Sequence, residues 1–207
     1  LISGGVTTDL TGSKCTPNNV HWTFDNYSLA NGLVQAALKA GNDSWFFLTS
    51  DYAFGHNLEA AASGLVKANG GKVLGGVKVP INTADFSSFL LQAQASKAKV
   101  IGLANAGGDT TNSIKQAAEF GIVAGGQKLA ALLLFINDVH ALGLKTAQGL
   151  TFTESFYWDY DDQTRAWSKR FSALASKNAM PSMTQAGNYA MVLHYLKAME
   201  ALGSNPR

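Results

Sequence analysis

WFFLTSDYAFGH occupies residues 45–56 and has the pattern of a strand that leads directly into a helix. Its first four residues are aromatic or aliphatic, as in a buried strand, and a short polar turn then leads to a helix that begins near Phe54. In α/β proteins the carboxyl end of such a strand and the amino end of the following helix face one crevice, where small molecules bind. The segment therefore predicts a ligand site without identifying the ligand.

The succession of strand and helix repeats along the chain. The apolar opening of the chain is predicted to be the end of a strand, and further strands or extended segments are predicted at residues 20–24, 45–48, 73–79, 99–104, 129–135 and 150–153. Helices are predicted at residues 27–40, 54–68, 86–96, 110–120, 163–177 and 183–202, the last of them ending at Gly203. Helices of this length between strands are typical of crossover connections, so the sequence predicts an α/β fold with a doubly wound parallel sheet.

Composition and missing motifs argue against several functions. A net charge of +2, without any run of Lys or Arg, gives no support for nucleic-acid binding. The longest apolar run, residues 129–136, is far shorter than the roughly 20 residues of a membrane-spanning helix, so no membrane insertion is expected. GxGxxG, a P-loop and a GxSxG elbow are all missing, the four histidines are isolated, and Cys15 is the single cysteine. The sequence thus predicts no catalytic residue, no metal site and no cofactor.

Small and polar residues follow four of the predicted strands, in the turns Gly4–Thr8, Thr49–Asp51, Asn105–Gly107 and Asn137–Asp138. Because the carboxyl ends of parallel strands lie at one edge of a sheet, these turns are expected to converge on one crevice. Ser, Thr, Asp and Asn also favour helix N-caps, so any one turn is equally well explained as a cap. The four turns together favour a shared binding site.

Aromatic side chains are concentrated in three turns. Packing in the core explains aromatic residues within strands and helices, such as Phe47, better than it explains those in turns. The turn residues are Trp22, Phe24, Tyr27, Tyr52, Phe54, Phe156, Tyr157, Trp158 and Tyr160. They would suit a planar or apolar ligand.

Several segments resemble one known family. TSDYAFG (49–55), KANGGKVLGGVKVPINTADFSSFL (67–90) and KAKVIGLANAGGDTTNSIKQAAEFGI (97–122) are similar to the second lobe of type I periplasmic substrate-binding proteins of ABC transporters, the branched-chain amino-acid-binding group. SGGVTTDLTG (3–12) and AQGLTFTESFYW (147–158) resemble the first lobe of that family.

The resemblance implies a two-lobe α/β fold with doubly wound parallel sheets, a hinge of several strands and a ligand clamped between the lobes. Residues 1–41 and 149–207 would belong to lobe I, and residues 42–148 would form lobe II. The resemblance also implies that the amino-terminal part of lobe I is missing, so that the first lobe is truncated.

The resemblance also implies ligand contacts. Gly5, Val6 and Thr7 match the loop that holds the ligand carboxylate, where Thr7 would supply the hydroxyl. Phe54 matches the aromatic residue before the glycine of a DxxYG-like motif, and Tyr52 lies beside it. Asn105 and Ala106 replace a tyrosine of the amino-acid binders. In addition, Tyr27, Phe54 and Tyr157 are expected to form apolar walls, and Asn105 to offer an amide.

The group that would pair with a ligand ammonium is not where the resemblance places it. The acidic residue of the family should fall within residues 132–137, around Phe135, and no carboxylate occurs there. A buried ammonium without a counter-charge is costly. An aromatic or other hydrophobic carboxylate, as bound by some members of the family, is therefore expected in preference to an amino acid.

The function expected from these observations is that of a periplasmic solute-binding protein of an ABC importer. It would close on a small carboxylate and deliver it to a membrane permease, without catalysis. Two alternatives stay open: a ligand-sensing domain of a receptor or regulator with the same fold, and a branched-chain amino-acid binder. An enzyme of the doubly wound class has less support because no motif predicts one.

Overall fold

The computed structural model describes residues 2–203. Its strands are β1 (Ile2–Ser3), β2 (Val20–His21), β3 (Ser44–Ser50), β4 (Lys72–Val79), β5 (Val100–Ala104), β6 (Lys128–Ala131) and β7 (Leu150–Phe152). Its α-helices are α1 (Asn26–Lys39), α2 (Ala53–Ala68), α3 (Ser87–Ala95), α4 (Gly107–Glu119), α5 (Ile136–Leu142), α6 (Asp162–Leu174) and α7 (Met183–Leu202). Two compact units are formed, one by the segments up to Asp25 and from Glu154 onward, the other by Asn26–Thr153.

The Asn26–Thr153 unit is built on a five-stranded sheet in the order β4-β3-β5-β6-β7. All four neighbouring pairs are parallel. The chain moves from β3 outward to β4 and then returns to the other side of β3 with β5, so the winding direction changes between β3 and β5. This is the doubly wound parallel arrangement that the sequence predicts, and the prediction is confirmed.

The side chains of β3 point alternately to the two faces of this sheet. Phe46 and Leu48 belong to a buried cluster with residues of α3 and α4. Trp45 and Phe47 point to the opposite face, and their rings stack with centroids 5.8 Å apart. Helices α1 and α2 pack together on that second face, where Leu29, Leu33, Leu58 and Val66 are buried. Both faces of β3 are therefore covered, which explains its continuous apolar sequence.

Gly102 in β5 lets the rings of β3 lie flat on the neighbouring strand. A β-carbon at this position would stand 2.6 Å from the ring of Phe47 and 3.3 Å from that of Trp45. Any side chain at position 102 would displace these rings, so the glycine is needed for close packing of the sheet.

The first unit contains the parallel pair of β1 and β2, with Ile2 opposite Val20 and Ser3 opposite His21. Its two long helices start with capping boxes: Asp161 and Thr164 at α6, and Ser182 and Gln185 at α7. Between these helices the ring of Trp167 lies 5.3 Å from that of Phe156 and 5.2 Å from that of Tyr189. Gly203 ends α7, as predicted.

Several predicted elements differ in extent, and one helix was not predicted. The extended segment predicted at residues 20–24 is a strand only at Val20–His21, and α4 begins at Gly107 instead of at residue 110. The apolar run after Lys128 is a strand only as far as Ala131, because its partner β5 ends at Ala104. Leu132, Leu133 and Leu134 are nevertheless buried, so their pattern does not distinguish loop from strand. The sequence predicts no helix at α5, which is one short element of seven residues. The predicted helix at residues 163–177 ends at Leu174, before a separate 3-10 turn at Ser176–Asn178. Leu1, part of the apolar opening of the chain, lies outside the described residues.

The second compact unit, Asn26–Thr153, extends beyond the predicted lobe II at both ends. The second unit contains the whole predicted range 42–148 and adds α1 and β7. β7 pairs with β6, and the Thr153 hydroxyl donates a hydrogen bond of 3.1 Å to the carbonyl of Leu29 in α1. Sheet pairing and this hydrogen bond explain why both elements associate with the second unit.

Candidate functional site

Six of the predicted ligand residues lie near the carboxyl edge of the five-stranded sheet. The turns after β3, β5 and β6 all leave the sheet at this edge because the strands are parallel. The residues are Tyr52 and Phe54 after β3, Asn105 and Ala106 after β5, Phe135 after β6, and Tyr27 in the first turn of α1, the helix that leads to the amino end of β3. Sequence reasoning therefore selected positions that share one side of this unit.

Tyr52 and Phe54 form an aromatic pair at the start of α2. Their ring centroids are 5.8 Å apart and their planes are tilted by 35°. Tyr52 is 42% exposed, whereas Phe54 is half-buried. The backbone N–H of Tyr52 donates a hydrogen bond of 2.8 Å to the carbonyl of Ser50, which fixes the turn that carries both rings. The pair offers an apolar, partly open surface that a flat ligand can contact.

Gly55 brings this aromatic pair close to the sheet. It is buried, and a β-carbon there would overlap the carbonyl oxygen of Ser50 and lie 3.0 Å from that of Ala104. The first turn of α2 can therefore approach the ends of β3 and β5 only because position 55 lacks a side chain. Sequence reasoning missed this role, although a glycine directly after an aromatic residue in a first helical turn is a visible signal.

Charged and polar side chains hold the elements around this turn. The buried Thr49 hydroxyl donates a hydrogen bond of 2.6 Å to Glu59 Oε2 on α2, and Glu59 also pairs with the Lys78 ammonium of β4. On the exposed side of the turn, Asp51 Oδ1 lies 2.8 Å from Nε2 of His56. These contacts join β3, α2 and β4 around the aromatic pair.

Asn105 is buried, with only 1% of its surface exposed. Its Oδ1 accepts a hydrogen bond of 2.8 Å from the Thr110 hydroxyl, and its Nδ2 donates one of 3.3 Å to Ser113 Oγ. Ala106 is the N-cap residue of α4 and offers no side-chain cap. The Asn105 amide thus stabilises the first turns of α4, and its predicted contact with a ligand stays a prediction.

Asp109 lies in the first turn of α4, where no ligand role was predicted for it. Its Oδ2 accepts a hydrogen bond of 3.1 Å from the backbone N–H of Asn82, which lies in the turn after β4. Burial, and secondly the negative charge of Asp109, raise the pKa of Tyr52 above its ordinary value. Tyr52 therefore keeps its phenolic proton and remains a hydrogen-bond donor.

Phe135 and Tyr27 occupy the starts of two further helices. Phe135 is half-buried at the N-cap of α5, where its backbone N–H donates a hydrogen bond of 3.1 Å to Asp138 Oδ2. Asp138 directly follows the stretch 132–137 that lacks a carboxylate, and this hydrogen bond makes it a capping group. Tyr27 is 55% exposed on the first turn of α1.

The other four predicted residues belong to the first unit. Gly5, Val6 and Thr7 form a half-buried loop after β1, held by hydrogen bonds from Gly5 N to Ser3 Oγ at 3.1 Å and between His21 Nε2 and the Gly5 carbonyl at 2.6 Å. Thr7 Oγ1 accepts a hydrogen bond of 3.2 Å from Asp9 N as the cap of a short 3-10 helix. Since the hydroxyl only accepts there, its own proton stays available to bind an anion. Tyr157 is exposed, with its ring 5.8 Å from that of Trp158.

Residues 2–203 contain no group of three or more His, Cys, Asp or Glu side chains that could hold a metal ion. Within the same range, no helix has both the length and the apolar character needed to cross a membrane.

Comparison with known proteins gives a consistent set of similarities. The sequence model of the periplasmic binding protein family matches residues 1–207. A periplasmic binding protein from Burkholderia mallei is 55% identical, with a TM-score of 0.90 over 98% of this chain and 54% of its own. None of the curated proteins is similar enough to match this chain.

Two further solved structures show the range of similar proteins. A branched-chain amino acid ABC transporter periplasmic ligand-binding protein from Burkholderia xenovorans is 38% identical, with a TM-score of 0.87 over 98% of this chain and 54% of its own. A solute-binding protein of an ABC transporter from Rhodopseudomonas palustris, in complex with p-hydroxybenzoic acid, is 24% identical, with a TM-score of 0.87 over 99% of this chain and 56% of its own. The chain spans about half the length of the solved structures it matches.

Proposed function

This chain belongs to the periplasmic binding protein family of ABC transporters, and from this premise we propose that it captures a small aromatic or hydrophobic carboxylate for an ABC importer. The ligand would bind in a cleft between two lobes, and lobe II would correspond to the Asn26–Thr153 unit, which contains the whole predicted range 42–148. The protein would act in the periplasm and deliver its ligand to a membrane permease. Binding and closure account for this role, with no bond made or broken.

The aromatic pair of Tyr52 and Phe54 is the observation that carries the proposed ligand class. Its rings stand 5.8 Å apart at the carboxyl edge of the sheet, where α/β proteins bind their ligands. A planar ring gains favourable stacking or edge contacts on such a surface. In support, the similar protein from Rhodopseudomonas palustris was solved with p-hydroxybenzoic acid.

The loop Gly5–Thr7 is proposed to receive the carboxylate of the ligand. Its Thr7 hydroxyl has a free proton, and backbone N–H groups in a glycine-containing loop can donate to an anion. The predicted walls Tyr27 and Tyr157 are both substantially exposed and can contact a ligand without rearrangement of the core. Asn105, Ala106 and Phe135 are kept as proposed neighbours of the ligand, since all three lie at the same sheet edge as Phe54.

A branched-chain amino acid is the second candidate ligand. The protein from Burkholderia xenovorans, 38% identical to this chain, is described as part of a branched-chain amino acid transporter. Against this candidate, residues 132–137 offer no carboxylate for an ammonium group, and Asp138 caps α5. Leucine is therefore the decisive competitor in a binding test.

Isothermal titration calorimetry with benzoate, 4-hydroxybenzoate and leucine tests the proposal. We expect an aromatic acid to bind more tightly than leucine, and Phe54→Ala to weaken its binding by about tenfold or more because an aromatic contact is lost. Tyr195→Ala is the matched control, since Tyr195 on α7 is 44% exposed and no ligand role is assigned to it. Tighter binding of leucine than of both aromatic acids would overturn the proposed ligand class.

A further inference from the structure

A cavity of about 470 Å³ lies at the amino edge of the five-stranded sheet, opposite the edge that carries Phe54. It is lined by the turn at residues 121–126 after α4, by the beginning of β6 and by the turn at residues 144–149 before β7. All of its lining residues belong to the Asn26–Thr153 unit, so the cavity is formed within that unit alone. A volume of this size accommodates a small organic molecule.

The two turns that enclose the cavity pack against each other. A β-carbon on Gly149 would stand 2.9 Å from Val123 Cγ1, and the φ of +77° at Gly149 is in the region that favours glycine. Within the first turn, Gly125 N donates a hydrogen bond of 2.8 Å to the Gly121 carbonyl. These contacts fix the walls of the cavity, so no rearrangement of the sheet is needed to admit a ligand.

Two lysines without acidic partners line the cavity. Lys128 begins β6, and Lys145 lies in the turn before β7. Within residues 2–203 neither side chain forms an ion pair, whereas Lys99, which directly precedes β5, pairs with Asp43 at 2.9 Å. No Asp or Glu of the described chain lines the cavity. The cavity therefore presents two uncompensated positive charges, which attract an anion.

Neutral donors and apolar side chains complete the lining. Thr146 supplies a hydroxyl and Gln148 an amide, and neither side chain makes a hydrogen bond to another described residue. Val123 and Leu129 add apolar surface to the same cavity. A ligand that uses the whole lining needs an anionic group with several acceptor oxygens and an apolar body.

We propose that this cavity binds a phosphate monoester with a small apolar body. Such a group carries a charge of about −1.5 to −2 at pH 7, which matches the two lysines. Lysine binds phosphate as a point charge, whereas the planar fork of arginine suits a flat carboxylate. Inorganic phosphate alone would leave the apolar wall in contact with water. The site lies at the opposite sheet edge from the one proposed for the imported carboxylate and does not depend on it.

Isothermal titration calorimetry with butyl phosphate, inorganic phosphate and 1-butanol tests the ligand class. We expect butyl phosphate to bind about tenfold or more tightly than inorganic phosphate, because its methylene groups are buried against the apolar wall. Butanol should show no measurable binding, since it lacks the charge. Equal affinities for the two phosphates would overturn the role of the apolar wall, and no binding of butyl phosphate would overturn the whole proposal.

Substitution of the two lysines tests the location of the charge. Lys128→Gln and Lys145→Gln should each weaken the binding of butyl phosphate about tenfold or more, because each removes a charge-assisted hydrogen bond. Lys145→Arg keeps the charge and should bind within about threefold of wild type. Lys115→Gln is the matched control and should bind within about twofold of wild type, since it removes an exposed lysine of α4 that does not line this cavity.

Amide chemical shifts of the wild-type protein locate the ligand without any variant. Butyl phosphate should shift the amide resonances of Thr146 and Gln148 and leave those of Tyr52 and Asn105, at the carboxyl edge, unchanged. Shifts confined to the carboxyl edge, or equal affinity of the wild type and both glutamine variants, would overturn the proposal and leave the proposed function intact. A preference for leucine over aromatic acids would overturn the proposed ligand class and leave this site intact.

Discussion

Gly55 in α2 and Ser50 at the end of β3 approach so closely that a β-carbon on Gly55 would overlap the Ser50 carbonyl oxygen. Gly55→Ala is therefore expected to push the first turn of α2 away from the sheet. We expect the free energy of unfolding to fall by about 1–3 kcal/mol or more, since overpacking in a close-packed interior forces backbone shifts. Chemical denaturation monitored by circular dichroism measures this loss.

Gly64→Ala is the matched control for this prediction, because Gly64 lies in the same helix and has open space where a β-carbon would be added. This substitution should stabilise the protein by about 0.5–1 kcal/mol, the usual difference between alanine and glycine within a helix. Equal effects of the two substitutions would show that helix propensity, and not the contact with Ser50, dominates at position 55.

Gly102→Ala should destabilise the sheet by a related mechanism. The added β-carbon would stand 2.6 Å from the Phe47 ring, which lies in a fully buried layer with Trp45. We expect a loss of about 1–3 kcal/mol in the free energy of unfolding. A second substitution, Phe47→Leu, makes room for the methyl group. The double variant should therefore lose less free energy of unfolding than the two single variants lose in sum. Strict additivity in this double-mutant cycle would contradict the proposed clash.

The sheet could be predicted from the sequence because β3 and β5 are apolar throughout and are followed by helices of regular period. The limits of β6 and the existence of α5 could not be predicted from the sequence. Leu132, Leu133 and Leu134 are as buried as strand residues, so only the length of the partner strand shows where pairing stops. α5, with seven residues, is too short to show a clear helical period.

For the candidate site, the sequence could predict only which turns share one edge of the sheet. Tyr52, Phe54 and Asn105 lie at that edge because parallel connectivity places the turns after neighbouring strands there, and their contact with a ligand stays a prediction. Contacts made across the fold cannot be read from spacing. The burial of the Asn105 amide against α4 and the contact of Asp109 with Asn82, which lies 27 positions earlier in the chain, appear only in the tertiary structure.

Thr110→Val tests the structural role of the Asn105 amide. The Thr110 hydroxyl donates to Asn105 Oδ1 at 2.8 Å, and both residues are buried, so valine leaves that oxygen without this donor. We expect the free energy of unfolding to fall by about 1–3 kcal/mol.

Thr111→Val is the control for the Thr110 variant. The Thr111 hydroxyl bonds only to carbonyls in the first turn of its own helix, those of Gly107 and Gly108. Its replacement should change stability by about 0.5 kcal/mol or less. If the two variants unfold at the same denaturant concentration, the Asn105 network contributes little to stability.

The Asp161 carboxylate at the start of α6 is expected to make the stability of the protein depend on pH. Its carboxylate accepts a hydrogen bond of 2.8 Å from Thr164 N, and this bond lowers the pKa of Asp161 below its ordinary value. A carboxyl group whose pKa is lower in the folded than in the unfolded state stabilises the folded state at pH values above its pKa in the unfolded state. That contribution is lost as the pH falls through the folded pKa.

Asp161→Asn keeps a neutral cap that does not titrate, so the stability advantage of the wild type over this variant should shrink between about pH 5 and about pH 2. Asp161→Ala removes the cap altogether and should be less stable than the asparagine variant over the whole range, because the Thr164 N–H loses its side-chain acceptor. Thermal melts of the three proteins at several pH values measure both differences. A gap between wild type and Asp161→Asn that stays constant with pH would show that the charge of this carboxylate does not stabilise α6.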